Sequence, residues 1–179
     1  MLRKLRRFLD LPAGERWQLA SAGGALARVS LGLRLFGYRR CLHRLDRRSR
    51  ASIRGPDPGG PEPAAPEALA LAASYARMVR IAAGNLPFRA ACLERSVALW
   101  WLLRRRRIPA ELKIGVRKSP SDQELDAHAW VELGGRPIDD RDDVHQRYAA
   151  FDGPASQGSW LRRTPFGSSE RDRRHTRWW

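Results

Sequence analysis

Apolar residues recur at three- and four-residue spacing through the first part of the chain, at Leu19, Ala22, Leu26, Val29, Leu33 and Phe36. Such a stripe predicts a helix with one face built to be covered, and Asp10, Pro12 and Glu15 supply start signals. A second stripe, Ala68, Leu71, Tyr75, Met78 and Ala82, runs through the stretch from Glu67 to Ala83 and stops at Gly84-Asn85. A third, strongly apolar helix is expected from Cys92 to Arg106, closed by Ile108-Pro109-Ala110. Beyond Pro109 the period falls to two. The runs ELKIGVRK and DAHAWVEL alternate like half-buried strands, and Gly134-Gly135 followed by RPIDD turns the chain into a third strand.

Between the first and second stripes, residues 54–66 (RGPDPGGPEPAAP) place five Pro and three Gly in thirteen positions, a composition that stays extended and builds no core. The chain therefore divides into a helical segment over 1–53, a Pro/Gly-rich linker over 54–66 and a core over 67–151. A basic tail over 152–179 without periodicity follows, expected to have little fixed structure. Helices followed by consecutive strands give an α+β fold with an antiparallel sheet.

The formal charge of +15 would attract phosphates. Only Lys4, Lys113 and Lys118 among the 34 basic residues are lysines, and the arginines are spread along the whole chain, as compositional drift would also produce. Neither zinc-knuckle spacing nor an aromatic-basic RNA-binding strand is present, so no specific nucleic-acid partner is expected; the charge suits an acidic peptide instead. Two cysteines, Cys41 and Cys92, make no disulfide framework, which fits a reducing, cytoplasmic setting. Arg28 and Arg34 interrupt the apolar run RWQLASAGGALARVSLGLRLFG, which falls short of the roughly 20 clean apolar residues of a membrane span. Loose membrane association stays open.

Candidate chemistry begins at Cys92. A thiol in the first turn of a helix has its thiolate favoured by at most about 2 kcal/mol, enough to bring it from about 8.5 to near 7. A stronger nucleophile needs an imidazole. Of His43, His128, His145 and His175, only His128 lies inside a predicted strand, where a ring is either a satisfied core histidine or lines a cleft. The adjoining strand favours the cleft, because it supplies Asp139 and Asp140 to fix the ring. A two-residue Gly134-Gly135 loop would pair Trp130 with Asp139, and a three-residue loop would pair it with Asp140. Both registers stay open on the residues alone.

The block CLERSVALWWLLRRRRIPAELKIGV, followed by AHAWVEL and GGRPIDD, resembles the transglutaminase-like (papain-like) cysteine peptidases of lasso-peptide biosynthesis, the B proteins that remove the leader from the precursor. The resemblance is strongest over 67–151, and the N-terminal helical segment looks like the lead-in of the stand-alone peptidase subunit. It implies a core with the nucleophile at a helix N-terminus: Cys92 as nucleophile, His128 as base and Asp140 as the orienting acid, with the wider, bulged hairpin. It also implies no cofactor and no metal. The partners it implies are the leader region of a precursor peptide, a separate small leader-recognition protein and the ATP-dependent cyclase. Arg107 stands where that pattern commonly has Gly, and Asp139 where it commonly has Asn.

Trp100 and Trp101 are expected in the core, Trp130 on the face of His128, and Glu132 as a solvated strand residue. Glu94 and Arg95 are expected to complement the helix start, and Cys41 to be structural. Two rival functions share these residues. Transamidation would resolve the acyl-enzyme with an amine, and a basic adaptor would leave Cys92, His128 and Asp140 as a vestige or weak metal site, although zinc prefers closer ligand pairs.

Overall fold

Helix α1 (Ala13–Arg50) buries Ala22, Leu26 and Val29 of the predicted stripe. The periodicity fails at its last member. Phe36 stays exposed because the helix breaks at Gly37, whose φ of 72° and ψ of 170° suit glycine almost alone. Residues nine apart in a straight helix are about 13 Å apart, yet a Cβ on Gly32 would lie 2.8 Å from Cys41 Sγ. The chain therefore folds sharply at Gly37 and returns Cys41, Leu42 and Leu45 to the same core. Cys41 is structural, as expected, and burial pushes its thiol up. The computed structural model describes residues 12–50, 64–118 and 125–150; Asp10, positions 54–63 of the linker and the basic tail lie outside them.

Helix α2 (Pro66–Ala83) starts with Pro in its first turn, where the missing N–H costs nothing, and buries Tyr75, Met78 and Ala82. Helix α3 (Cys92–Arg105) is apolar almost all round from Val97 to Leu103 and lies between α1, α2 and the sheet. Trp100 and Trp101 are core residues. At its end Arg107 N–H donates to Arg104 O at 2.9 Å and Ile108 N–H to Leu103 O at 3.1 Å. That Schellman closure requires a left-handed residue, and Arg107 takes it at φ 62°.

The sheet has the order β3-β2-β1-β4, each neighbour antiparallel. Strands β1 (Glu111–Lys118) and β2 (Leu125–Leu133) pair with Glu111 opposite Glu132 and Gly115 opposite His128. Strand β3 is only Arg136–Pro137, paired Leu133 to Arg136. The loop is thus the two residues Gly134 and Gly135, at φ 59° and 76°, as a tight hairpin turn demands. This corrects the wider, bulged hairpin that the resemblance implies. A single helical turn, α4 (Val144–Arg147), leads into β4 (Ala149–Ala150) beside β1.

Because β2 alternates, Val131 and Leu133 join the helices in the main core. Trp130 faces the other way, into a small cluster with Val144 and Tyr148. Among the described residues no helix is long and apolar enough to cross a membrane.

Candidate active site

Cys92 opens α3, half-buried, at the end where the first-turn N–H groups have no intrahelical acceptor. Glu94 steadies that turn by reaching back: its Oε2 accepts from Ala91 N–H at 2.7 Å. Glu94 complements the helix start as expected, while Arg95 is exposed at the edge of the cleft.

His128 projects from β2 toward Cys92 and shares a hydrogen bond with it. The imidazole Nε2 bonds Asp140 Oδ2, leaving Nδ1 as the nitrogen that serves the thiol. The electrostatics follow from this chain. Burial alone would raise the Cys92 pKa, but the His128 hydrogen bond, backbone hydrogen bonds at Ala129 and Leu93 and the His128 charge together bring it below the ordinary thiol value. His128 is raised to about 9, chiefly by its hydrogen bond with Cys92, against a smaller opposing effect of burial and with Asp140 adding to the rise. Burial also opposes ionisation of Asp140, and the bonds from His128 and from Arg141 N–H, the latter at 2.7 Å, overcome it and lower its pKa.

Asp140 reaches the ring without a bulged hairpin because of Asp139. Ile138 N–H donates to Val131 O at 2.9 Å, the last ordinary rung. At the next rung Asp139 Oδ1 accepts from Val131 N–H at 2.7 Å, so a side chain replaces the backbone and the strand ends. The following residue is turned toward His128. The other oxygen of Asp139 lies 2.7 Å from Ser96 Oγ, which is also 2.9 Å from Ala129 O. Burial raises the Asp139 carboxyl above the usual range, against the bonds from Val131 and Ser96.

Two rings cover His128. Tyr148 stacks on it at 4.9 Å between centroids, and Trp130 lies at 6.2 Å, nearly parallel. Tyr148 OH donates to Asp126 Oδ2 at 3.1 Å, and Arg117 Nε donates to the same oxygen at 2.8 Å. Glu132 departs from expectation. It is buried, because Trp130 Nε1 donates to its Oε1 at 2.5 Å and His145 Nε2 lies 3.4 Å from the same oxygen.

The fold brings Cys92, His128 and Asp140 together on a cleft of about 50 Å³. His43 is exposed on α1, and His145 contacts Glu132 and Trp130 instead. Sequence reasoning missed Ser96, Tyr148 and Asp126. Ser96 was findable, since it sits four residues after Cys92 and so on the same helix face. Tyr148 carried no comparable signal, because irregular chain and a single helical turn deliver it. Among the described residues no group of three or more His, Cys, Asp and Glu side chains is placed to hold a metal ion.

Residues 24–151 match the family described as the Transglutaminase-like superfamily. A stretch of 64 residues is 40% identical to the Microcin J25-processing protein McjB of Escherichia coli, covering 36% of this chain and 29% of that protein. The chain thus spans under a third of that relative's length. No solved structure matches significantly.

Proposed function

We propose, since the chain belongs to the transglutaminase-like superfamily, that it is a cysteine peptidase removing the leader from a lasso-peptide precursor. The observation that carries this is the continuous hydrogen-bonded chain from Cys92 through His128 to Asp140, with the thiol lowered and the imidazole raised. The similarity to a microcin-processing protein supports the substrate class.

In this mechanism the Cys92 thiolate attacks the carbonyl carbon at the leader-core junction. The oxyanion is held by first-turn N–H groups such as that of Cys92, which have no intrahelical acceptor. His128 gives its proton to the departing amine as the C–N bond breaks, leaving a thioester on Cys92. It then takes a proton from water, which attacks the thioester; the acid leaves and the proton returns to the Cys92–His128 pair. Asp140 orients the ring and steadies its charge, while Tyr148 and Trp130 shield the His128–Asp140 bond from water. No cofactor enters these steps. A separate small protein presents the leader, a strand of which it pairs to its own sheet edge, and the ATP-dependent cyclase takes up the core peptide. The chemistry suits a reducing cytoplasm.

Mass spectrometry of a precursor incubated with this protein and its recognition partner tests the proposal. Two fragments summing to precursor plus water are expected, and none with Cys92→Ala or His128→Ala. An adduct in which an amine replaces the water would establish transamidation instead, and intact precursor with folded protein would sink the catalytic proposal.

A further inference from the structure

A larger cavity, about 420 Å³, lies between α1, α2 and the C-terminal end of α3. Arg28, Arg105 and Arg106 converge on it among Trp17, Tyr75 and Trp101. The guanidiniums lie on ring faces, Arg28 and Arg105 at 5.9 and 5.1 Å from Trp101 and Arg106 at 5.5 Å from Tyr75. Stacking fixes their positions while leaving their N–H forks free. Among the described residues none of the three pairs with a carboxylate; the ion pair at this end of α3 belongs to Arg104 and Asp46. The indole Nε1 of Trp101 is buried with no acceptor among them. Trp17, 66% exposed, stands at the entrance. Three cations with no carboxylate partner among the described residues ask for an anion, and Arg with Trp and Tyr is the composition of binding hot spots.

We propose that this groove binds an acidic segment of the peptide substrate, its carboxylates on Arg28, Arg105 and Arg106. Naming the peptide as the substrate rests on the peptidase proposal above; the chemistry of the groove does not. A nucleic-acid track needs cations spaced along several nucleotides, whereas these three gather on one cavity, which suits neighbouring carboxylates. Arg105 follows Cys92 by thirteen positions along α3, about 20 Å at helical rise. An extended peptide covers that distance in roughly six residues. The acidic residues therefore stand at least that far from the cleaved bond.

Binding is measured on Cys92→Ala protein, so that cleavage plays no part, by fluorescence anisotropy of a labelled Gly-Ser peptide carrying a Glu-Glu pair beside a Gln-Gln control. Arg28→Glu with Arg105→Glu should weaken the Glu-Glu peptide by at least about tenfold. Gly24→Leu should do the same without altering charge, because Gly24 lines the cavity and a Cβ there meets nothing within 4 Å. Arg39→Glu with Arg40→Glu, an equal charge change at exposed positions on α1, should leave binding within about twofold. Equal losses in both double variants, undiminished binding with Gly24→Leu, or displacement by oligo-dT as readily as by unlabelled Glu-Glu peptide would overturn the proposal. In precursor cleavage the groove variants should raise KM with kcat unchanged. If wild-type protein cleaves nothing, the peptidase proposal falls while the binding measurement still decides the groove.

Discussion

Ser96 Oγ sits 2.7 Å from Asp139 Oδ2 and 2.9 Å from the carbonyl of Ala129, between two acceptors with one proton to give. The Ser96 hydroxyl is the donor shared between the Asp139 carboxyl and the Ala129 carbonyl, and burial raises the Asp139 pKa against that bond. This pair anchors the end of the hairpin and so places Asp140.

Asparagine at 139 can keep both contacts, its Oδ1 accepting from Val131 N–H and its Nδ2 donating to Ser96, whose hydroxyl is then free to donate to Ala129 O. Asp139→Asn is expected to retain activity. A raised folded-state pKa means that wild type loses stability as pH climbs past the ordinary Asp value of about 4, so the variant should gain on it in thermal melts as pH rises. Asp140→Asn should instead lower kcat by about 10²–10⁴. Ser96→Ala should cost about 1–3 kcal/mol by leaving buried acceptors unpaired, read from urea denaturation. Loss of activity in Asp139→Asn with retention in Asp140→Asn would reverse the two roles.

The Cys92–His128 pair sets the pH profile. With the thiol lowered and the imidazole raised to about 9, thiolate and imidazolium coexist between those limits. Iodoacetamide should label Cys92 rapidly from below the ordinary thiol range, and His128→Ala should move the inflection up by about one unit or more. Cleavage should fall on the alkaline side as His128 deprotonates through about 9. His128 also stabilises the fold, fully below its ordinary value of about 6.5 and progressively less as pH rises from there through about 9. Cys92→Ala removes the largest cause of the shift, so its alkaline stability loss should be smaller and end at lower pH.

Gly115 makes room for the rings over His128. A Cβ there would come within 3.0 Å of Ala149 O, Trp130 Cη2 and Tyr148 Cβ at once. Gly115→Ala should cost about 1–3 kcal/mol by overpacking and displace Tyr148 from His128, with a loss of kcat. Tyr148→Phe keeps the stack and loses only the Asp126 bond, and should fall between wild type and Gly115→Ala in a cleavage assay.

Two backbone positions should respond in opposite directions. Gly37→Ala forces a side chain into a conformation reserved for glycine and should lower stability by about 1–3 kcal/mol. Arg107 already holds a left-handed position, so Arg107→Gly should raise the melting temperature, reflecting about 1 kcal/mol. Differential scanning calorimetry of both variants checks the pair, and an unchanged or lower melting temperature for Arg107→Gly would contradict it.

Elements with a strong period were legible in the sequence. The stripes of α2 and α3 and the alternation of β1 and β2 reappear within a residue or two of their predicted ends, because local periodicity decides which face a segment can bury. The break at Gly37 was not legible, since glycine within a helical pattern is tolerated until tertiary packing uses its freedom. Nor was the burial of Glu132, which depends on a Trp130 indole and a His145 ring brought in by different parts of the chain.

The sequence by itself determined the chemical types and the local frame: a thiol opening an apolar helix, an imidazole inside a strand, and two carboxylates after a Gly-Gly turn. Tertiary structure alone decided which carboxylate meets the imidazole. Counting residues around a tight hairpin favours Asp139 opposite Trp130. The outcome turns on a long-range bond, because Asp139 spends its side chain on Val131 N–H and Ser96, ending the ladder and delivering Asp140 to His128. A hydrogen bond between residues 43 positions apart leaves no mark in local sequence, and it was formed only when α3 packed against β2.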